Sequence, residues 1–218
     1  MKLDEAILTS LSALPAATVH EAQGQRGAMV HDMRPVYPTA RLCGAAVTVS
    51  CAPGDNLTIH QALTFCRPGS ILVVSMGGHL EGGCFGEILA VAAMERGVAG
   101  LVCDGSVRDV ARLEELGFPV FSRGVSMKGT SKVKPGAINV PIICGGTWVS
   151  PGDAVLGDAD GVVVVPAEEV PSVIKAAQAK EDAERGIMER IRAGELTVDI
   201  LDLPSVAPTQ LGEGRNSA

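Results

Sequence analysis

The chain predicts an α/β fold, with parallel βαβ units followed by a β-rich second layer. Three observations carry this. Ser70–Ser75 (SILVVS) and Gly100–Cys103 are short apolar runs bounded by glycine-marked turns, as strands buried on both faces are. Helical patterns follow each of them, so right-handed crossovers should make the strands parallel. Past Lys134, and as far as Val165, short β-branched runs alternate with Gly-Gly, Pro-Gly-Asp and Asp-Ala-Asp-Gly without intervening helices. A chain of 218 residues fits one catalytic domain, assigned to residues 1–203, with a loose tail over 204–218.

In order, Asp4–Leu14 reads as a short helix stopped by Pro15. A second begins near Thr18, a plausible N-cap, and runs through His20 and Glu21 to Gly24. Cys43–Cys51 alternates small and β-branched residues and reads as a strand. Pro53-Gly54-Asp55-Asn56 is a turn whose Asp55 or Asn56 caps a helix reaching Arg67. After the strand Ser70–Ser75 comes a glycine-rich connection, Gly77–Gly86, then a mostly apolar helix, Gly86–Arg96. The strand Gly100–Cys103 stops at an Asp104-Gly105 turn. Helix Val107–Leu116, its cap Gly117 and strand Phe118–Ser122 follow. Strands are expected over Gly136–Cys144, Thr147–Val149, Ala154–Leu156 and Gly161–Val165, then a long helix over Ala167–Ala193.

Composition excludes several classes of function. Net charge is −7 and the basic residues form no block, which argues against a nucleic-acid footprint. No apolar run approaches a membrane span and no basic-then-apolar leader pattern is present, so a cytoplasmic location is expected. Six cysteines without a CxxC pair read as reduced, core-filling thiols rather than a disulfide framework or a zinc site. Aromatics are only 3%, so the core is expected to be built from Val, Ile, Leu and Ala.

The segment from Gly100 to Asp109 carries the chemistry. Ligands of open α/β sheets gather at the carboxyl ends of strands, and here a strand is followed by Asp104, Arg108 and Asp109. A carboxylate beside a guanidinium can hold a divalent cation and an anionic substrate together. If the strands ending at Ser75 and Cys103 are neighbours, the Gly77–Gly86 connection opens on the same edge. The following helix then aims free backbone N–H groups into that space. Plainer readings stand beside these: Asp109 as a carboxylate favouring its helix dipole, Asp104 as an Asp-Gly turn, the glycines as a turn only. Lys128, Lys132 and Lys134 lie in a polar loop, and no lysine sits in an apolar strand as a Schiff-base lysine would. The four scattered histidines form no zinc motif.

Seven motifs in order resemble one known family: TVHEAQ (Thr18–Gln23), APGDN (Ala52–Asn56), FGEILA (Phe85–Ala90), RGVAGLVCDGSVRD (Arg96–Asp109), GFPVFSRG (Gly117–Gly124), DADGVVVVP (Asp158–Pro166) and AGEL (Ala193–Leu196). The chain resembles the class II, metal-dependent 4-hydroxy-4-methyl-2-oxoglutarate/4-carboxy-4-hydroxy-2-oxoadipate aldolases, which share a superfamily with the regulators of ribonuclease E activity. That resemblance implies an α-β-β-α layered fold, a homotrimer or dimer of trimers, and sites between subunits. It implies Mg2+ or Mn2+ held by Asp109, with Arg108 on the enolate oxygen of a 2-keto acid. Backbone amides of Gly86, Glu87, Ile88 and Leu89 would take the pyruvyl carboxylate, and Glu87 and Asp104 would organise metal-bound water. Glu21 and Glu195 match acidic residues lent by an adjacent subunit, and His20 and Asn56 match site-lining positions. The implied reaction, known from aromatic-compound catabolism, is retro-aldol cleavage of a 4-hydroxy-2-oxo di- or tricarboxylic acid to pyruvate and a second keto acid, accompanied by oxaloacetate decarboxylation. One departure is the glycine-rich stretch between Ser75 and Phe85, which bears on the half of the substrate beyond the pyruvyl group. The rival class is a non-catalytic protein-binding regulator, which would have no need of the carboxylate at Asp109.

Overall fold

The computed structural model describes residues 3–206. Its elements are α1 (Glu5–Ser12), α2 (Ala16–Ala22), β1 (Arg34–Pro35), β2 (Leu42–Ser50), α3 (Leu57–Ala62), β3 (Ser70–Ser75), α4 (Glu87–Met94), β4 (Gly100–Val107), α5 (Val110–Glu115), β5 (Val120–Val125), β6 (Ala137–Ile138), β7 (Ile142–Cys144), β8 (Thr147–Val149), β9 (Ala154–Asp158), β10 (Gly161–Val165), α6 (Val170–Arg192) and α7 (Thr197–Ile200). Two compact units result, Met1–Gln178 and Ala179–Ala218. In the second, Arg190 grips Glu195 through Nε and Nη2, and Lys180 pairs with Glu184. The tail expected from Pro204 lies outside the described residues from position 207 on.

The fold is a mixed α/β domain around one large sheet in the order β1-β5-β4-β3-β2-β9-β10, with β6 pairing to β2. The expected βαβ units are present: β2, β3, β4 and β5 run parallel. The β-rich part continues the same sheet, since β9 pairs antiparallel with β2, and β10 with β9. Among the described residues, β7 and β8 alone stand apart, as a separate hairpin.

The sheet nearly closes. Residues 27–29 run beside β10, with Met29 N–H donating to Val162 O, and the chain then enters β1 at the opposite edge. Arg34 of β1 donates back to the Asp160 carbonyl in the β9–β10 turn at 2.9 Å.

Period-two alternation sorts the strand residues into layers. Val47, Leu72, Val74, Leu101 and Val120 face α3, α4 and α5 in one core cluster. Ala46, Ile71, Val73, Val102, Phe121, Val155, Val162 and Val164 point inward, between the two halves of the curled sheet. Ala154, Leu156, Val163 and Val165 face outward onto α1, α2 and α6. The layers therefore run α-β-β-α, and the second β layer is the far half of one sheet. Phe121, a fully buried ring of the interior, lies against Gly157 of β9: a Cβ there would come within 2.9 Å of its Cζ.

Some boundaries differ from expectation. Thr18 is not a cap but lies buried inside α2, whose first N–H, that of Ala16, is taken by Asp158 Oδ2 at 2.8 Å. The helix expected to reach Arg67 ends at Ala62. Gly136–Cys144 is not one strand but β6 and β7, interrupted before Pro141, which has no N–H for a ladder. Asp104-Gly105 is not a turn, because β4 continues, fully buried, to Val107. A register shift between Cys103 and Ser106 absorbs the irregularity, and Met76 N–H at 2.5 Å and the Ser75 hydroxyl satisfy the Asp104 carboxylate. Among the described residues no helix is long and apolar enough to cross a membrane.

Candidate active site

The end of β4 builds the site. Arg108 N–H donates to Phe85 O at 2.8 Å, tying the strand end to the residue before Gly86, the N-cap of α4. Asp109 then takes a left-handed conformation, φ 57° and ψ 36°, and α5 begins. A non-glycine residue there is uncommon, and aspartate is among the few that tolerate it. The turn sends the Asp109 carboxylate back toward α4. Its Oδ2 accepts Glu87 N–H at 3.1 Å and lies 3.5 Å from Arg108 Nε.

Two glycines make this approach possible. A Cβ on Gly86 would fall 2.3 Å from Asp109 Oδ2, and one on Gly83 would fall 2.8 Å from Arg108 Cβ. The glycine-rich connection is therefore more than a turn. Gly83 N–H donates to Lys128 O and Cys84 N–H to Ser106 O, each at 2.9 Å, which laces the loop between two segments.

A cavity of about 120 Å3 opens beside Arg108, lined by Asn56, His60, Gly83, Cys84, Gly86, Ile88, Leu89, Arg108, Gly129, Thr130 and Lys132. Ile88 and Leu89 lie in the first turn of the eight-residue α4, where no preceding helical carbonyl receives their N–H groups. The Asn56 amide donates to Cys84 O at 2.8 Å.

Asp55 anchors the loop that carries the far wall. Its carboxylate accepts from Ser131 Oγ at 2.6 Å, Val133 N at 2.7 Å, Lys134 N at 3.0 Å and Leu57 N at 2.9 Å. Burial by itself would raise this carboxyl, but those donors outweigh it and hold the pKa well below the usual range.

Of the residues expected in the site, Asn56, Gly86, Ile88, Leu89 and Arg108 line the cavity; Glu87 and Asp109 are not part of its lining and bond to each other beside Gly86 and Arg108. The amide of Glu87 is already engaged by Asp109. Asp104 is turned to the other side, toward Met76 and Ser75, where burial raises its pKa. His20 and Glu21 belong to α2, where the His20 ring meets Arg26 O at 2.8 Å, and neither lines the cavity. Glu195 follows α6 in the second unit.

His60, Thr130 and Lys132 were not expected there. Asn56 and His60 are four residues apart, a spacing that puts them on one helical side, and this was the available signal. Lys132 carries none, because it arrives through the tertiary clamp at Asp55.

For a divalent cation the donor chemistry fits in a limited way. Asp109 offers a half-exposed, hard oxygen ligand, and Gly86 leaves open the space that a Cβ would fill. Among the described residues no group of three or more His, Cys, Asp or Glu gathers to hold a metal. Any such ion would keep most of its waters, as Mg2+ commonly does.

Comparison with known proteins agrees with the motif resemblance. A family model described as RraA-like, Aldolase/RraA, matches residues 16–164. A Halalkalibacterium halodurans protein named "Putative 4-hydroxy-4-methyl-2-oxoglutarate aldolase" is 33% identical over 190 residues, covering 85% of this chain and 90% of the relative. An uncharacterized protein from Pseudomonas syringae pv. tomato has a solved structure with TM-score 0.84 and 27% identity, covering 94% of this chain and 96% of that one. Streptomyces coelicolor RraAS2, described as an unusual member of the RNase ES inhibitor RraA protein family, gives TM-score 0.77 at 30% identity, covering 86% and 98%. The family model spans well over half of the chain and a relative 33% identical covers most of it, so the chain belongs to the RraA-like (Aldolase/RraA) family.

Proposed function

We propose that this protein is a divalent-metal-dependent pyruvate aldolase, a lyase that cleaves 4-hydroxy-2-oxo di- or tricarboxylic acids to pyruvate and a second keto acid. One observation carries the reading. A left-handed Asp109 sets its carboxylate beside the Arg108 guanidinium and the first turn of α4, at a cavity that two glycines keep open.

Each part of that geometry has work in the reaction. The N–H groups of Ile88 and Leu89, backed by the helix dipole, bind the carboxylate of the 2-keto acid. Arg108 donates to the keto oxygen and neutralises the negative charge that grows there as the C3–C4 bond breaks. Asp109 would hold Mg2+ or Mn2+, which when bound supplies a Lewis acid for the same developing charge. Glu87, exposed beside Gly86, orders the water that carries away the proton of the C4 hydroxyl. In a homotrimer or dimer of trimers, Glu21 and Glu195 would complete the acidic set of a neighbouring copy. Loss of CO2 from oxaloacetate builds the same charge on the same oxygen, so decarboxylation should accompany the aldolase.

Arg108→Ala and Asp109→Ala should each lower pyruvate release by about 10²–10³-fold or more, the effect of removing one preorganised charge-stabilising group. EDTA should abolish activity, and Mg2+ or Mn2+ should restore it. Near-normal turnover of either variant would overturn these roles. A purely binding role, of the kind the Streptomyces neighbour's description names, would instead survive EDTA.

A further inference from the structure

The cavity beside Arg108 has a second polar wall that the pyruvyl-binding groups leave unused. Asn56, His60 and Lys132 line it. The Asn56 amide is oriented by its Nδ2–H bond to Cys84 O, which leaves Oδ1 as a free acceptor. Among the described residues that Oδ1 is buried without a partner, and so is His60 Nε2, while Asn56 as a whole is 6% exposed. Orphaned polar atoms inside a protein are costly to leave unpaired, so they mark places where a ligand or water is received. Burial, then the Lys132 charge, hold the His60 ring below its ordinary pKa, so at neutral pH it is uncharged and can offer Nε2–H.

An acceptor, a neutral donor and an ammonium on one wall define a complementary group: a hydroxyl beside a carboxylate. We infer that Asn56, His60 and Lys132 form the specificity subsite for the leaving half of the substrate. In the bound acid the C4 hydroxyl donates to Asn56 Oδ1, its proton passing to the water ordered by Glu87 as the C3–C4 bond breaks, and a carboxylate on the same carbon accepts from His60 Nε2 and Lys132 Nζ. This rests on the aldolase reading and deepens it, because it fixes what C4 must carry. Asp55, through Ser131, Val133 and Lys134, is the positioning residue that holds Lys132 at the wall.

Two substrates isolate the carboxylate. 4-Hydroxy-4-methyl-2-oxoglutarate carries it on C4, and 4-hydroxy-2-oxopentanoate has hydrogen in its place. The experiment measures kcat/KM for both with Mg2+, plus exchange of the pyruvate methyl protons in D2O, which reads the pyruvyl half alone. Wild type should prefer the dicarboxylate, and that preference should fall at least about tenfold in Lys132→Met and in His60→Phe, or about 1.4 kcal/mol of discrimination. Lys132 is exposed, so its variant decides the matter if His60→Phe does not fold. A wild-type preference retained in both variants, or in Lys132→Met alone should His60→Phe not fold, refutes the subsite and leaves the aldolase intact. A wild type that neither exchanges pyruvate protons nor cleaves either acid refutes the aldolase, and the subsite with it.

Discussion

Gly86→Ala inserts a single carbon where the site has no room. Gly86 is extended, with φ −159°, which alanine adopts freely, so the backbone is not strained and the effect is steric. The new Cβ would stand 2.3 Å from Asp109 Oδ2 and 2.9 Å from Arg108 Cγ. Carbon–heteroatom contacts settle near 3.5 Å, so the carboxylate must retreat by about 1 Å. Retreat breaks the Glu87 N–H bond to Oδ2. With overpacking this costs about 1–3 kcal/mol, or about 2–4 °C in Tm per kcal/mol at this chain length. Activity should suffer more: a misplacement of about 1 Å at reacting groups costs about 10²-fold. The assays are pyruvate release coupled to lactate dehydrogenase and a thermal melt. A Gly86→Ala enzyme with kcat within about threefold of wild type would show that the spacing around Asp109 has no role in turnover.

Other substitutions separate scaffold from site. Gly186→Ala lies in the exposed interior of α6, where an added Cβ meets nothing within 4 Å, so it should stabilise by about 0.5–1 kcal/mol in chemical denaturation. Asp55→Ala strands four donors and should lower Tm by more than Gly86→Ala, with new proteolytic cutting over residues 126–134. Because its pKa is depressed, the Asp55 contribution is complete above the ordinary value of 3.8 and is lost as pH falls through the lowered value, so wild type and variant should converge in acid. Asp104 has the opposite sign. Burial raises it, so its proton favours folding below 3.8 and that contribution is lost as pH rises through the elevated value. Asp104→Asn should therefore gain stability relative to wild type across that interval in urea unfolding, and a pH-independent difference would contradict the burial argument.

Much of this was legible along the chain, because buried parallel strands announce themselves in runs such as Ser70–Ser75 and β10. Arg108 and Asp109 stood out because charge directly follows an apolar strand. Asp104 misled because Asp-Gly usually turns; only the Met76 N–H and the Ser75 hydroxyl, distant in sequence, let that carboxylate stay inside β4. The cavity wall was less visible still. His60 reads as an ordinary helix residue and Lys132 as loop polarity until Asp55 draws the two segments together. The curl of the sheet was also hidden, since alternation tells which side a residue faces and not whether two sides meet.

Phe121 and Gly157 face each other across that curl without sharing a hydrogen-bonded ladder. One ring seated in a notch gauges the gap between the halves of the barrel-like wall. Bulk added at either position must be surrendered at the other, so the pair can drift only in concert. Since β5 adjoins β4, any change in that gauge is also felt by the strand whose end presents the guanidinium.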